Sequence, residues 1–279
     1  MKKPSIQELK YRAAKVRRKI VRMVAASGSG HAGGALSCVD ALTALYFYTM
    51  VNSAENPKLP ERDRFVLSAG HKCMAQYAVL CEKGYFPESV LDTYGCLGTQ
   101  LPGHPDMHKL PGIEANTGAL GHGLSISVGM ALGLKETGQR VFTVLGDGEL
   151  PEGSNWEAIA AAGFYGLDNL IALVDLNGLQ ISGQTKDIMD MSPLADKFES
   201  FGWAVGMIDG NDMEEIVSIL DRLPLGEGKP SAILMHTIKG KGISFGENRV
   251  GFHFWKATED ELRTAAAELD QAIAGLEGR

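Results

Sequence analysis

Apolar positions along this chain fall into two patterns, stripes at helical spacing and short unbroken runs, which alternate in order. Leu9, Ala13, Val16, Ile20 and Val24 form the first stripe, opened by the capping-box pair Ser5 and Glu8. The spacing predicts a folded first helix whose basic side, running from Lys2 and Lys3 through Arg12, Lys15 and Arg17 to Arg22, is solvated. A helix is expected from about Ser37 to Met50, then a polar linker to Arg64. Phe65 to Ser68 reads as a strand, followed by an apolar helix to Cys81. Prolines and glycines make the stretch with Pro102-Gly103-His104-Pro105 and Pro111-Gly112 irregular. The turn from Thr117 to Gly123 feeds a helix from Leu124 to Lys135.

The stretch Val141 to Gly183 is the centre of the pattern. An apolar run, Val141 to Leu145, stops at Gly146-Asp147-Gly148. Ser154 and Glu157 have capping-box spacing for a helix that Gly163 and Gly166 end. A second run, Leu170 to Val174, leads to Asp175-Leu176-Asn177-Gly178. This is a strand–helix–strand unit with a carboxylate after one strand and a carboxamide after the next. In open parallel sheets such residues share the ligand-binding rim at the strands' carboxyl ends. Asp147, Asn177 and the Leu179 backbone carbonyl give three hard oxygens, leaving the other octahedral positions of Mg2+ to diphosphate oxygens and water. Gly146 and Gly148 let backbone N–H groups approach a phosphate closely.

Downstream, Ser192-Pro193 predicts a helix with serine as cap and proline at the first position. Trp203–Ile208 and Ala232–His236 read as strands around a helix from Asp212 to Leu223. Thr258 and Glu261 cap the last helix. The alternation predicts an α/β chain with a parallel sheet covered by helices on both faces, organised as a single domain over 1–279.

Composition alters this picture little. The 279 residues, 44% hydrophobic and 22% charged, suit a globular protein, and a net charge of −7 gives no reason to expect nucleic acid. No apolar run is long enough to span a membrane. Arg22 interrupts the one candidate signal-peptide core, although a basic amino terminus also suits a transit peptide. Cys38, Cys73, Cys81 and Cys96 lack metal or disulfide spacing, so buried free thiols and a cytoplasmic location are expected. Gly28-x-Gly30-x-x-Gly33 matches a dinucleotide template, but follows a helix where the template needs a strand.

With these pieces in place, the chain resembles the N-terminal, diphosphate-binding part of transketolases over nearly its whole length. The motifs are SGSGHAGG, RDRFVLSAGH, LPGHP, TGALGHG, LGDGELPEG, DLNGLQISG and HTIKGKG. The resemblance implies the thiamin diphosphate-binding fold, with thiamin diphosphate and Mg2+ or another divalent cation as cofactors. It implies that His71 contacts the diphosphate, and that Gly118, Ala119 and Leu120 line the aminopyrimidine side. Asp147, Asn177 and Leu179 bind the metal, with Gly146 and Gly148 against the diphosphate. His31 and His253 handle protons on the sugars, His253 also touching the cofactor, while His104 holds the donor's terminal hydroxyl. Glu152 reaches a subunit interface near the cofactor. Lys239 and Lys241 either add charge near anionic ligands or form a solvated pair. The implied reaction is transfer of a two-carbon ketol unit between sugars or sugar phosphates, as in pentose phosphate metabolism.

Three departures accompany the resemblance: His122 for a usual glutamine, Ala119 for proline or serine, and Phe254-Trp255 after His253. The last pair suggests distorted acid–base geometry or an unusual sugar. No stretch up to Arg279 suits the family's pyrimidine-binding or C-terminal domains. A separate C-terminal transketolase subunit is therefore expected, in an α2β2 assembly. The competing readings are the α subunit of a 2-oxoacid dehydrogenase, another thiamin diphosphate enzyme, and a non-catalytic partner subunit.

Overall fold

A computed structural model describes residues 3–277; Lys2, counted above in the basic amino terminus, lies outside the described residues. Five strands form one parallel sheet: β1 (Arg64–Leu67), β2 (Val141–Gly146), β3 (Leu170–Leu176), β4 (Ala204–Asp209) and β5 (Ser231–His236), in spatial order β1-β2-β3-β5-β4. Within β2 and β3 successive side chains point to opposite faces, as the strand period of two requires. Phe142, Val144, Ile171 and Leu173 enter one core, and Val141, Leu145, Leu170, Ala172 and Val174 the other. Burial on both faces explains why these strands read as unbroken apolar runs.

The first core is roofed by helices α1 (Ile6–Ser27), α2 (Ala32–Ser37), α3 (Val39–Ala44) and α4 (Cys73–Lys83). The second lies under α5 (Gly123–Leu134) and α6 (Gly153–Phe164), with Phe198 of α7 (Leu194–Ser200) and Trp203. Helix α8 (Met213–Leu220), capped by Asp212, packs on the α1 side, and α9 (Glu259–Leu276) lies along α1. The capping boxes at Ser5/Glu8 and Thr258/Glu261 form as expected.

Several expectations fail for identifiable reasons. Ser154 does not cap α6, because its hydroxyl donates to the Gly121 carbonyl at 2.9 Å; Glu152 is the cap residue. At α7 the cap position falls on Pro193 and the helix begins at Leu194. The helix expected from Ser37 instead starts at Ala32, breaks at Cys38 and ends in a wider turn over Leu45–Thr49. The basic side of α1 is only partly solvated and is paired with acids, Arg17 and Lys19 being buried. Arg17 pairs with buried Asp40; Arg12, Lys15 and Lys19 meet Glu82; Arg22 meets Glu88 and Asp92. Three cysteines are buried free thiols as expected, but Cys96 is exposed.

The register across the sheet positions the site. Gly146 of β2 lies opposite Asp175 of β3, so both chains leave the sheet side by side at its carboxyl edge. The hairpin Leu179–Gln180/Gly183–Gln184 follows β3 directly. A second ribbon pairs Ser29–Gly30 with Trp255–Lys256 and brings two distant loops to the same edge.

Candidate active site

A cavity of about 340 Å³ opens at the carboxyl edge of β2 and β3, and all but three of the expected site residues reach its wall. At its floor the Gly178 N–H donates to Asp147 Oδ2 at 2.6 Å and the Gly148 N–H to Asp147 Oδ1 at 2.8 Å. The Leu179 N–H donates to Asn177 Oδ1 at 3.1 Å, while Asn177 Nδ2 donates to Asp175 Oδ2 at 3.2 Å. The carboxylate after β2 and the carboxamide after β3 are therefore locked to one turn. Burial first, then the neighbouring Asp175, pushes the Asp147 carboxyl up to about 6. A cation lodged there would reverse that shift.

Behind the floor, Lys72 and Asp175 form a buried ion pair, and Ser37 and Thr237 hydroxyls also donate to Asp175. Burial opposes the charge on each, but the partner wins: Lys72 lies above its usual range and Asp175 below it. Glu149, also buried, accepts from the Ser68 hydroxyl, from the Gly121 N–H at 3.0 Å and from the Gly146 N–H at 3.2 Å. One carboxylate thus ties together the ends of β1 and β2 and the glycine turn before α5.

Four imidazoles meet over the floor. His31 lies 5.5 Å from both His71 and His253 and 6.3 Å from His104, between ring centroids; His71 and His253 stack at 5.4 Å. Glycines set these approaches. A Cβ on Gly33 would sit 2.6 Å from the Phe252 carbonyl oxygen, so the His31 loop reaches the His253 loop only without one. Gly118 holds φ +147°, and a Cβ there would press to 2.9 Å from the His104 ring. Burial, then Lys72 and the other rings, pushes His71 down to about 2. Burial, then Lys239, pushes His253 down to about 4, and His31 is lowered by burial and by His104. The three rings are neutral near pH 7 and can donate or accept protons.

Lys239 is almost fully buried at the cavity wall. Its ammonium donates to the Leu179 carbonyl at 2.8 Å and lies 3.0 Å from His253 Nδ1. Burial, then Lys72, pushes it down to about 8.

The sequence matches the family described as transketolase, thiamine diphosphate binding domain, over residues 10–271. It is 46% identical to the 6-deoxy-6-sulfo-D-fructose transketolase subunit of a Clostridium species, over 95% of this chain and 97% of that one. It is likewise 46% identical to an apulose-4-phosphate transketolase subunit of Actinobacillus succinogenes, with the same coverage. Among solved structures, transketolase from Campylobacter jejuni superposes with a TM-score of 0.89 at 29% identity, covering 98% of this chain and 46% of that one. The chain belongs to the transketolase family. It spans less than half the length of that solved transketolase and nearly all of the two shorter relatives.

The donors at the floor fit the family's cofactor. One carboxylate, one carboxamide oxygen and one backbone carbonyl are hard ligands of the kind Mg2+ takes, and the carbonyl already holds a cationic group. Among the described residues no cluster of three or more His, Cys, Asp or Glu side chains could hold a metal. The mixed set around Asp147 is the candidate.

Three expected residues stand apart from the wall. Glu152 and Ala119 are exposed and outside the cavity, and His104 is exposed at its rim, held beside Gly118. Trp255 turns into the core against Phe252 and Phe245, away from His253. Only Phe254 stays beside His31, the two ring centroids 4.8 Å apart and the rings near-perpendicular. Of the two lysines, Lys239 belongs to the wall, while Lys241 is half-buried and lies 3.8 Å from Glu247. Lys72, Asp175 and Glu149 escaped the sequence reading. The available signal was a lone charge at the end of an apolar strand for Asp175, and adjacency to His71 and to Gly146-Asp147-Gly148 for the others.

Proposed function

We propose that this chain is the N-terminal, diphosphate-binding subunit of a two-chain transketolase, with residues 1–279 acting as one domain. It would move a two-carbon ketol unit from a ketose donor to an aldose acceptor. The observation that carries the reading is the meeting of Asp147, Asn177 and the Leu179 carbonyl at adjacent strand ends beneath neutral imidazoles.

In this reading Asp147, Asn177 and Leu179 hold Mg2+, and His71 with the Gly146 and Gly148 backbone faces the diphosphate. Gly118 and Leu120 line the aminopyrimidine side, with Ala119 on the outer side of the same turn. Bound thiamin diphosphate supplies the electron sink for the cleaved carbon–carbon bond. The chain's own residues supply position and proton handling. With Lys239 donating to its Nδ1, neutral His253 carries its proton on Nε2 and serves as a donor to a sugar oxygen. His31, held edge-on by Phe254 and His253, is the candidate acceptor of the donor hydroxyl proton, and His104 at the rim fits the far end of the sugar. Correctly placed general acids and bases contribute roughly 10²–10⁴-fold each.

The partner would be a C-terminal transketolase subunit, in an α2β2 heterotetramer in the cytoplasm. Exposed Glu152 and apolar side chains beside the cavity support this. Ile181 lines the cavity and is 68% exposed, and Ile188 and Met189 of the next segment are exposed. Such surfaces mark interaction sites. No helix among the described residues is long and apolar enough to cross a membrane. The relatives named for 6-deoxy-6-sulfo-D-fructose and apulose 4-phosphate make ketoses with an anionic tail the substrates to try first.

The test is ketol transfer with Mg2+ and thiamin diphosphate. The expected result is no turnover by the chain alone and turnover once its companion chain is added. Turnover by the chain alone would contradict the two-chain reading. Oxidative decarboxylation of a 2-oxoacid by the complex would favour the dehydrogenase alternative.

A further inference from the structure

The cavity wall contains an ammonium group on an atom that the metal needs. Lys239 Nζ donates to the Leu179 carbonyl at 2.8 Å, and the same Nζ lies 3.0 Å from His253 Nδ1. The side chain is nearly fully buried, and its stem packs where a Cβ on Gly33 would approach Lys239 Cε to 3.2 Å. Its backbone is fixed as well: the Asn248 N–H donates to the Lys239 carbonyl at 2.9 Å, with Asn248 at φ 56°. A buried cation is stable only with compensating partners. Here those partners are one carbonyl, one ring nitrogen and the nearby carboxylates of Asp147 and Asp175, whose charges favour its protonated form.

We infer that Lys239 stands in for the divalent cation before the site is loaded and is exchanged on loading, leaving the Leu179 carbonyl for the metal and meeting the diphosphate instead. This rests on reading the cavity as a metal–diphosphate site. The physical reason is charge. A monocation and a dication sharing one carbonyl repel strongly in a buried setting, so both cannot stay. The diphosphate is a polyanion, and its arrival gives the displaced ammonium a better partner than a neutral carbonyl. Lys239 thereby has two opposed effects: it competes with the metal alone, and it aids the metal with diphosphate.

Those opposed signs make the test. Binding of Mn2+ alone, and of inorganic pyrophosphate with saturating Mn2+, is measured calorimetrically on the full chain and its Lys239→Met, Lys239→Arg and Asp147→Ala variants. Hydrogen exchange over residues 177–184 is followed alongside. The expected result for Lys239→Met is Mn2+ binding at least about tenfold tighter, roughly 1.4 kcal/mol, and pyrophosphate binding at least about tenfold weaker. Exchange at the hairpin should rise without metal and be restored by Mn2+. Lys239→Arg should keep the pyrophosphate affinity.

Mn2+ binding that is unchanged or weaker in Lys239→Met, or absent from it at millimolar Mn2+, overturns the exchange. If Mn2+ still binds and Asp147→Ala abolishes it, only the exchange has failed. If Asp147→Ala changes nothing, the metal-site reading has failed with it.

Discussion

Replacing Lys72 by methionine should be among the most damaging single changes to the fold. Lys72 and Asp175 are 2% and 0% exposed, and their ion pair sits under the turn that carries Asn177. At an effective dielectric of about 20, unit charges roughly 4 Å apart attract by about 4 kcal/mol. Removing one partner of a buried pair typically costs about 3–5 kcal/mol, because the remaining charge is left without compensation. Ser37, Thr237 and Asn177 still donate to Asp175, so a cost near the lower end, about 3 kcal/mol, is expected. That is a large share of a stability of about 5–15 kcal/mol. Urea unfolding of Lys72→Met, Asp175→Asn and the double variant measures it. The double variant should be less destabilised than Lys72→Met, with a coupling of about 2 kcal/mol or more. A cost below about 1 kcal/mol for Lys72→Met, or additive single costs, would refute the reasoning.

Other consequences can be checked with simpler measurements. His253 is held at about 4 when folded, whereas an unfolded histidine titrates near 6.5. Between those values the unfolded chain binds the proton and the folded chain does not, so stability falls as pH drops from about 6.5 toward 4. At roughly 1.4 kcal/mol per unit the upper bound is about 3 kcal/mol. His253→Asn should make the pH profile of the urea midpoint shallower over that window, with His71 and His31 keeping part of the slope, and parallel profiles would count against it. Gly33→Ala sets a methyl against the Phe252 carbonyl and should cost about 1–3 kcal/mol while moving the His31 loop, read by thermal unfolding and by loss of ketol transfer. Phe254→Gly removes the ring beside His31 and should change relative rates among ketose donors with little effect on stability; an unchanged substrate profile would dismiss it as a specificity element.

What the residue pattern revealed, and what it hid, follows from the range of each interaction. The strand runs were legible because both faces are buried, and Ser5/Glu8 and Thr258/Glu261 because a cap involves residues three apart. Ser154 had the same spacing, yet its hydroxyl is taken by Gly121, 33 residues away. The basic face of α1 looked solvated because the acids that neutralise it come from other segments, at Asp40, Glu82 and Glu88. At the site, Asp147 and Asn177 were legible from their places after two strands. Lys72–Asp175 and Lys239–Leu179 span 103 and 60 residues, and no local rule connects them. Trp255 read as a neighbour of His253 in sequence, but its pairing opposite Gly30 turns it into the core.

The most direct test of the account is calorimetric titration of thiamin diphosphate into the assembled two-chain complex, with and without Mg2+, for the natural chain and for Asp147→Ala. The account predicts Mg2+-dependent binding that weakens at least about 100-fold, roughly 2.7 kcal/mol, when the carboxylate is removed. Equal affinity in Asp147→Ala, or binding indifferent to Mg2+, would contradict the claim that these strand ends hold a metal-bridged diphosphate.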